Sequence, residues 1–182
     1  TKGKKYSKTY PASKKPAAKP TPVAKSPTKE NPSGSEILVA TSKVKATTED
    51  VKKYIENFKE TAKNNMKVHG IPASITMAQG ILESGAGFGS LAKEANNHFG
   101  IKCTSDWKGK NYFRDDDQKN DCFRVYKDAR ESFKDHSEFL KRKRYSFLFQ
   151  LDKNDYKSWA QGLKTAGYAT NPKYPDMLIN VI

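Results

Sequence analysis

The segment 71–102 constrains the fold more than any other part of the chain. Pro72 in a first turn and Ser74 as a candidate N-cap favour the start of a helix. Apolar residues then recur at helical spacing and mark one buried face: Ile75, Ala78, Ile81 and Leu82. The helix should end near Glu83, because Ser84 and two glycines follow. The sequence therefore predicts a buried helix that carries a carboxylate at its C-terminal end.

A carboxylate at that position is electrostatically unusual. The carbonyl end of the helix dipole repels it, and the apolar neighbours Phe88 and Phe99 should disfavour its charged form, so the pKa of Glu83 is expected to rise. A protonated carboxyl group suits general acid catalysis of glycosidic cleavage. From these residues alone, Glu83 could equally be a surface residue before a glycine-rich turn.

The wider pattern resembles a known family. Three motifs follow one another in the central segment, A-Q-G-I-L-E-S-G-x-G, S-x-L-A-x-x-A-N-N and F-G-I-K, and three more follow later, F-R-V-Y, S-F-K-D-H and A-G-Y-A-T-N-P-K-Y. In this order they resemble the bacterial cell-wall N-acetylglucosaminidases of glycoside hydrolase family 73, over residues 47–182. The resemblance implies a lysozyme-like α+β domain, mainly α, with a small β-hairpin lobe and Glu83 as its catalytic acid.

The N-terminal part has a different composition. Residues 1–45 hold eleven Lys against two Glu, and six of the nine prolines lie before residue 33. Such a segment has too few large apolar residues to offset its ordering entropy. We therefore expect a disordered basic tail or linker over 1–46 and a catalytic domain over 47–182. The tail is either a solvated spacer or a contact to anionic envelope polymers.

The two cysteines flank a predicted β-hairpin, in which runs around Tyr112 and Phe123 enclose an acidic turn. Cys103 and Cys122 could form a disulfide near its open end, as exported proteins often do, or remain two buried thiols. Two Cys and three scattered His show no zinc-ligand spacing, so no metal and no cofactor is expected.

Glycoside hydrolysis commonly needs a second carboxyl group. The resembling family places it on the hairpin, often as Glu, but this chain has no Glu between Glu94 and Glu131. It offers three adjacent aspartates instead: Asp115, Asp116 and Asp117. Strand alternation would turn Asp116 away from the other two, so the three should not be equivalent. Asp116 is the first candidate because it is central in the cluster. The alternatives are a solvated hairpin tip, substrate-assisted catalysis by an acetamido group, or help from Tyr168 or Tyr174.

Several further residues are candidates for substrate binding. In the resembling family, the Asn turn borders the cleft and the tyrosines of the last motif reach it. The predicted contacts are Gln79, Ser84, Asn96, Asn97, Phe99, Trp107 and Tyr174. Each has a structural alternative: turn chemistry for the two Asn, core packing for Trp107 and the tyrosines.

The sequence thus predicts a monomeric, exported peptidoglycan hydrolase, periplasmic, envelope-bound or extracellular. Its partner would be the glycan strand, cleaved between N-acetylglucosamine and N-acetylmuramic acid. The basic run 141–144 is read as a solvated helix end, so no nucleic acid partner is expected, and no apolar run reaches transmembrane length. The alternatives are a lytic transglycosylase and a non-catalytic basic wall-binding module. The apolar pattern that runs to Ile182 favours either a trimmed end or a further module.

Overall fold

The computed structural model describes residues 37–39 and 43–182. Within these residues the fold is α+β and mainly α, as predicted. The helices are α1 Thr48–His69, α2 Ala73–Ser84, α3 Ser90–Ala95, α4 Ala129–Leu140, α5 Tyr156–Thr165 and α6 Tyr174–Val181, with a 3₁₀ segment at Lys143–Gln150. The strands are β1 Ile37–Val39, β2 Lys45–Thr47, β3 Asn111–Arg114 and β4 Asp121–Arg124. No helix in the described ranges is long and apolar enough to cross a membrane.

The strands form two separate antiparallel pairs, β1 with β2 and β3 with β4. The first pair aligns Ile37 with Thr47. It lies largely within residues 1–46, where the sequence predicts a disordered tail, so regular backbone begins earlier than that boundary. The remainder of the predicted tail lies outside the described residues.

Helix α1 is bounded by signals that are visible in the sequence. Thr47 and Asp50 form a capping box, in which each side chain accepts a hydrogen bond from the other's backbone N–H. These contacts satisfy amides that the first helical turn leaves unpaired. Gly70 ends the helix in the left-handed conformation, with φ of 78°.

Helix α2 is buried on nearly all sides. Nine of its twelve residues are buried, including the polar Thr76 and Gln79, so the sequence pattern of one apolar face understates its burial. The predicted N-cap at Ser74 is wrong: Pro72 takes that position without a side-chain hydrogen bond, and Ser74 lies inside the helix. Gly80 allows the close approach of Tyr54, because a Cβ atom there would lie 2.7 Å from the Tyr54 hydroxyl.

Two apolar clusters meet at α2. One packs α2 against α5, α6 and the 3₁₀ segment around the fully buried Trp159. The other packs α2 against α1 and α4 around Phe133, whose ring stacks on Phe58 at 5.1 Å. The helix that carries Glu83 is thereby fixed from both sides of the domain.

The basic run 141–144 does not form the last turn of a helix, as the sequence suggested. Helix α4 ends at Leu140, and Arg142 precedes the 3₁₀ segment with extended backbone. The side chains of this run make separate contacts: Lys141 with Glu138, Arg142 with the Phe139 ring and Arg144 with the Ala166 carbonyl.

The hairpin is tied to the preceding segment by a disulfide between Cys103 and Cys122. Cys122 lies in β4 opposite Phe113, whereas Cys103 lies beside β4 on its other edge and donates its backbone N–H to the Cys122 carbonyl. The pair thus joins β4 to the segment before the hairpin and does not bridge the open end of the hairpin.

Replacing both cysteines by Ser is expected to lower the free energy of unfolding by about 3 kcal/mol, since the bond closes a loop of roughly 20 residues. Denaturant unfolding of the oxidised protein and the double variant measures this difference. Alkylation followed by mass measurement provides the control, because two cysteines that react without reductant would contradict the bond.

Candidate active site

A cleft of about 560 Å³ runs between α2, the β3–β4 hairpin and the segment after α5. Glu83 from the end of α2 lies in its wall. The hairpin contributes Asp116 and Asp117, and the segment after α5 contributes Tyr168. The other lining residues are Leu91, Phe99, Gly100, Ile101, Lys102, Arg114, Phe123, Phe139, Arg142, Arg144, Ala169, Thr170 and Asn171.

Glu83 is only partly exposed in this cleft. Burial raises the pKa of its carboxyl group to about 7; a hydrogen bond from Tyr174 opposes the rise, and the negative charge of Asp116 adds to it. The carboxyl group is therefore protonated in a large fraction of molecules at neutral pH, as a general acid requires.

Three hydrogen bonds connect Glu83 to a buried histidine. The Tyr174 hydroxyl donates to Glu83 Oε1 at 2.9 Å, and Gln79 Nε2 donates to the Tyr174 oxygen at 3.1 Å. Gln79 Oε1 lies 3.1 Å from His136 Nε2. Burial lowers the pKa of His136 to about 3, so its ring is neutral, and the acceptor at Gln79 places the ring proton on Nε2.

This chain of donors determines which oxygen of Glu83 can carry the acid proton. Glu83 Oε1 accepts from Tyr174, so the proton of the acid form belongs on Oε2, which makes no hydrogen bond within the part of the chain that the structure describes. Gln79 and Tyr174 are 0% and 1% exposed. Both were predicted to bind substrate, but the structure places them behind Glu83, where they orient its carboxyl group.

Two aromatic residues line the cleft beside the acid. Tyr168 stacks on Tyr174 with ring centroids 5.8 Å apart, and burial raises its pKa well above the ordinary value, so it remains a neutral phenol. Phe99 stacks on His136 at 3.9 Å. Both predicted residues thus reach the cleft, and neither brings a charge to it.

The three hairpin aspartates have different environments. Asp115 Oδ1 accepts from the backbone N–H of Asn120 and stabilises the turn, and Asp115 does not line the cleft. Asp116 lines the cleft with 39% of its side chain exposed, whereas 85% of the Asp117 side chain is exposed. The predicted strand alternation does not apply, because β3 ends at Arg114 and the three aspartates lie in the turn after it.

Lys102 neutralises the acidic tip. Its ammonium group lies 2.8 Å from Asp117, 2.9 Å from Asp121 and 3.5 Å from Asp116. Although burial opposes it, hydrogen bonding to Asp117 and Asp121 raises the pKa of Lys102. Oxygens of these three aspartates lie within 4.8 Å of one another. The positive charge of the Lys102 ammonium group offsets the repulsion between their carboxylates.

Four other predicted contacts do not line the cleft. Asn97 is 1% exposed and bonds to the backbone of Ile101 and of Arg124, while Asn96 has φ of 51° and donates to the Tyr126 carbonyl. Both act through turn chemistry. Ser84 is also buried and donates to the Gly80 carbonyl.

Trp107 is the fourth. It is half-buried, and the Arg124 guanidinium lies 4.8 Å from its ring centroid. Its indole N–H donates to the Lys110 carbonyl at 3.2 Å. These contacts favour the structural alternative, in which Trp107 stabilises the base of the hairpin.

Sequence reasoning missed the basic side of the cleft and the residues behind the acid. Lys102, Arg114, Arg142 and Arg144 line the cleft, and His136 orients Gln79. The spacing of Phe133, His136 and Leu140 marks one helical face, and a titratable residue on such a face was the available signal. The four cations had no comparable signal, because basic residues are common throughout this chain.

Comparison with known proteins decides the family. The family model described as mannosyl-glycoprotein endo-beta-N-acetylglucosaminidase, named Glucosaminidase, matches residues 59–182. The chain belongs to the glucosaminidase family. The resemblance seen in the sequence is thus confirmed, and membership makes this glucosaminidase domain a glycoside hydrolase by class.

Named relatives agree with this assignment. The domain is 36% identical over 130 residues to the exo-glucosaminidase LytG of Bacillus subtilis, covering 64% of this chain and 44% of the relative. It is 30% identical over 156 residues to the peptidoglycan hydrolase FlgJ of Vibrio parahaemolyticus, covering 79% and 50%. The chain therefore spans about half the length of these curated relatives.

Solved structures confirm the fold. A peptidoglycan hydrolase from Sphingomonas sp. A1 superposes with a TM-score of 0.63 at 29% identity, covering 71% of this chain and 86% of the other. The glycoside hydrolase domain of FlgJ from Salmonella typhimurium gives 0.62 at 29% identity, covering 72% and 85%. The lysozyme-like architecture expected from the sequence is that of these domains.

Proposed function

We propose that this glucosaminidase domain hydrolyses the β-1,4 bond between N-acetylglucosamine and N-acetylmuramic acid in peptidoglycan. The observation that carries the proposal is Glu83, a carboxyl group with a pKa of about 7 in the wall of an open cleft. A cleft can accept an extended polymer, and the two relatives named as peptidoglycan hydrolases act on such a polymer. We place its action in the cell envelope or outside the cell, where this substrate lies.

Glu83 Oε2 gives its proton to the glycosidic oxygen as the bond to the anomeric carbon breaks. Water adds to that carbon and loses a proton, so hydrolysis consumes one water and leaves a reducing end. Asp116 lies across the cleft, and its negative charge acts on Glu83. We assign this carboxylate to orient and deprotonate the water. An acetamido group of the substrate, or Tyr168, is the alternative source of assistance.

The test is digestion of purified peptidoglycan, followed by borohydride reduction and mass analysis of the fragments. The proposal expects reduced N-acetylglucosamine at the new ends. Reduced N-acetylmuramic acid would move cleavage to the other bond, and anhydro-muramic ends would identify a transglycosylase. Absence of cleavage with binding retained would indicate a non-catalytic wall-binding module.

The pH dependence of kcat/KM follows from the pKa of Glu83. Because the acid form donates the proton, kcat/KM is expected to fall about tenfold per pH unit above pH 7. This alkaline decrease should not begin near pH 4.5, the ordinary pKa of a Glu carboxyl group. Initial rates on soluble glycan strands between pH 4 and 9 measure this limb. An alkaline limb near pH 4.5 would show that the proton donor does not have the raised pKa of Glu83.

A further inference from the structure

Four cations line the cleft together with Glu83, and two of them are held by the hairpin. Lys102 donates to Asp117 and to Asp121. Arg114 lies 3.6 Å from Asp116 and hydrogen-bonds to Ser90 Oγ. Their charges are therefore largely compensated by acids of the hairpin itself.

Arg144 is also committed to the fold. Its guanidinium donates to the carbonyl oxygens of Ala166 and Gly167 at distances between 2.7 and 3.0 Å. These bonds hold the segment after α5 that carries Tyr168. In contrast, the guanidinium of Arg142 has no hydrogen bond or ion pair to any residue in the ranges 37–39 and 43–182.

Arg142 is nonetheless held by an aromatic contact in the wall of the cleft that also contains Glu83. Its Cζ lies 4.4 Å from the ring centroid of Phe139, a cation–π contact. Phe139 meets the edge of Tyr168 at 6.1 Å, and Tyr168 stacks on Tyr174, which donates to Glu83. A fork of unused N–H donors therefore faces the same cleft, separated from the acid by a short row of packed rings.

Asp106 interacts electrostatically with Arg142 but does not pair with it. Hydrogen bonding from Thr104 chiefly lowers the pKa of Asp106, and Arg124 and Arg142 contribute smaller Coulombic effects. Asp106 forms no ion pair with Arg142, and Asp106 is itself fully solvated. Arg142 thus remains available for an anion that arrives with the substrate.

We propose that Arg142 binds a carboxylate carried by the lactyl arm of N-acetylmuramic acid, next to the bond that is cleaved. The inference depends on the proposed function. In a glycan of N-acetylglucosamine and N-acetylmuramic acid, the sugar rings are neutral. The lactyl arm ends in a free carboxylate where no peptide is attached; where a peptide is attached, the lactyl group is a neutral amide and the peptide carries the carboxylates. A planar guanidinium matches a carboxylate with two parallel hydrogen bonds, so Arg142 would select strands that bear this charge.

The experiment compares three soluble substrates: strands with peptides attached, the same strands after an amidase has removed the peptides, and the stripped strands with the lactyl carboxylate converted to its methyl amide. Wild-type protein should have kcat/KM about tenfold higher on the recognised carboxylate than on the methyl amide. Arg142→Gln should remove that preference, and Arg142→Lys should keep part of it. If the preference is greatest for strands with peptides attached, Arg142 binds a peptide carboxylate. If it is greatest for the stripped strands, Arg142 binds the lactyl carboxylate.

Arg130→Gln is the matched control. Arg130 lies in the first turn of α4 and lines a separate surface depression with Val68 and Lys134. The Arg130→Gln variant should keep the wild-type preference for carboxylate over methyl amide strands. Equal losses of Arg142→Gln on charged and methyl amide strands, or no loss on either, would overturn the carboxylate site. If wild-type protein cleaves none of the three substrates, the proposed function itself fails, which is a different result.

Discussion

Replacing Glu83 by Gln is expected to lower peptidoglycan hydrolysis by at least about 10²-fold while the fold is kept. The amide has nearly the shape of the protonated carboxyl group, and its oxygen can still accept from the Tyr174 hydroxyl. It has no acidic proton for the glycosidic oxygen. Reducing-end release from purified strands measures the loss, and circular dichroism of the same samples shows whether the fold is intact. Near-normal turnover in the folded variant would refute the assignment of Glu83.

The same variant should be more stable than the wild type at alkaline pH. The folded protein holds the pKa of Glu83 at about 7 against an ordinary 4.5, so wild-type stability from this group is present below pH 4.5 and is lost as the pH rises to about 7. Above pH 7 the loss amounts to about 3 kcal/mol. Urea unfolding of both proteins at pH 4 and pH 8 should show a gain at pH 8 alone, and an equal gain at both would mean that ionisation is not its cause.

Asp116→Asn is expected to give the second largest loss, about 10²-fold in kcat with a much smaller change in KM. An amide can still bind a hydroxyl group, but it is a poor base for water. Steady-state kinetics on soluble strands separates the two parameters.

Asp115→Asn and Asp117→Asn are the matched controls within the hairpin. Asp115 supports the turn through the Asn120 amide, which an Asn oxygen can also accept, and Asp117 is largely exposed. Both should turn over at rates close to the wild type. If all three variants keep full turnover, the hairpin provides no base, and the substrate acetamido group or Tyr168 must assist.

Local signals in the sequence account for most of these helix ends. The capping box at Thr47, the stop at Gly70 and the Asp155 cap of α5 are each formed by residues within a few positions, and the structure shows all three. The Ser74 cap failed because Pro72 already occupies the N-cap position and burial fixes the start of α2. Capping side chains and a glycine stop thus determine these helix ends, and the start of α2 is the exception.

The site was predictable only in part, because its contacts join distant segments. Glu83 followed from its position before the glycine turn and from the family motif. Gln79 shares its helix and was taken for a substrate contact, since sequence could not show that it faces Tyr174, 95 positions away. Whether Arg142 or Arg144 is free also depends on contacts that periodicity does not reveal.

The two walls of the cleft should open on very different timescales. Nine of the twelve residues of α2 are buried between two clusters, whereas every residue from Asp115 to Asn120 is exposed. Amide hydrogens of α2 should therefore exchange only through global unfolding, and those of the hairpin tip through small local openings. Glu83 is held by the more persistent of these two walls, so the hairpin is the wall that can adjust to the proposed glycan substrate.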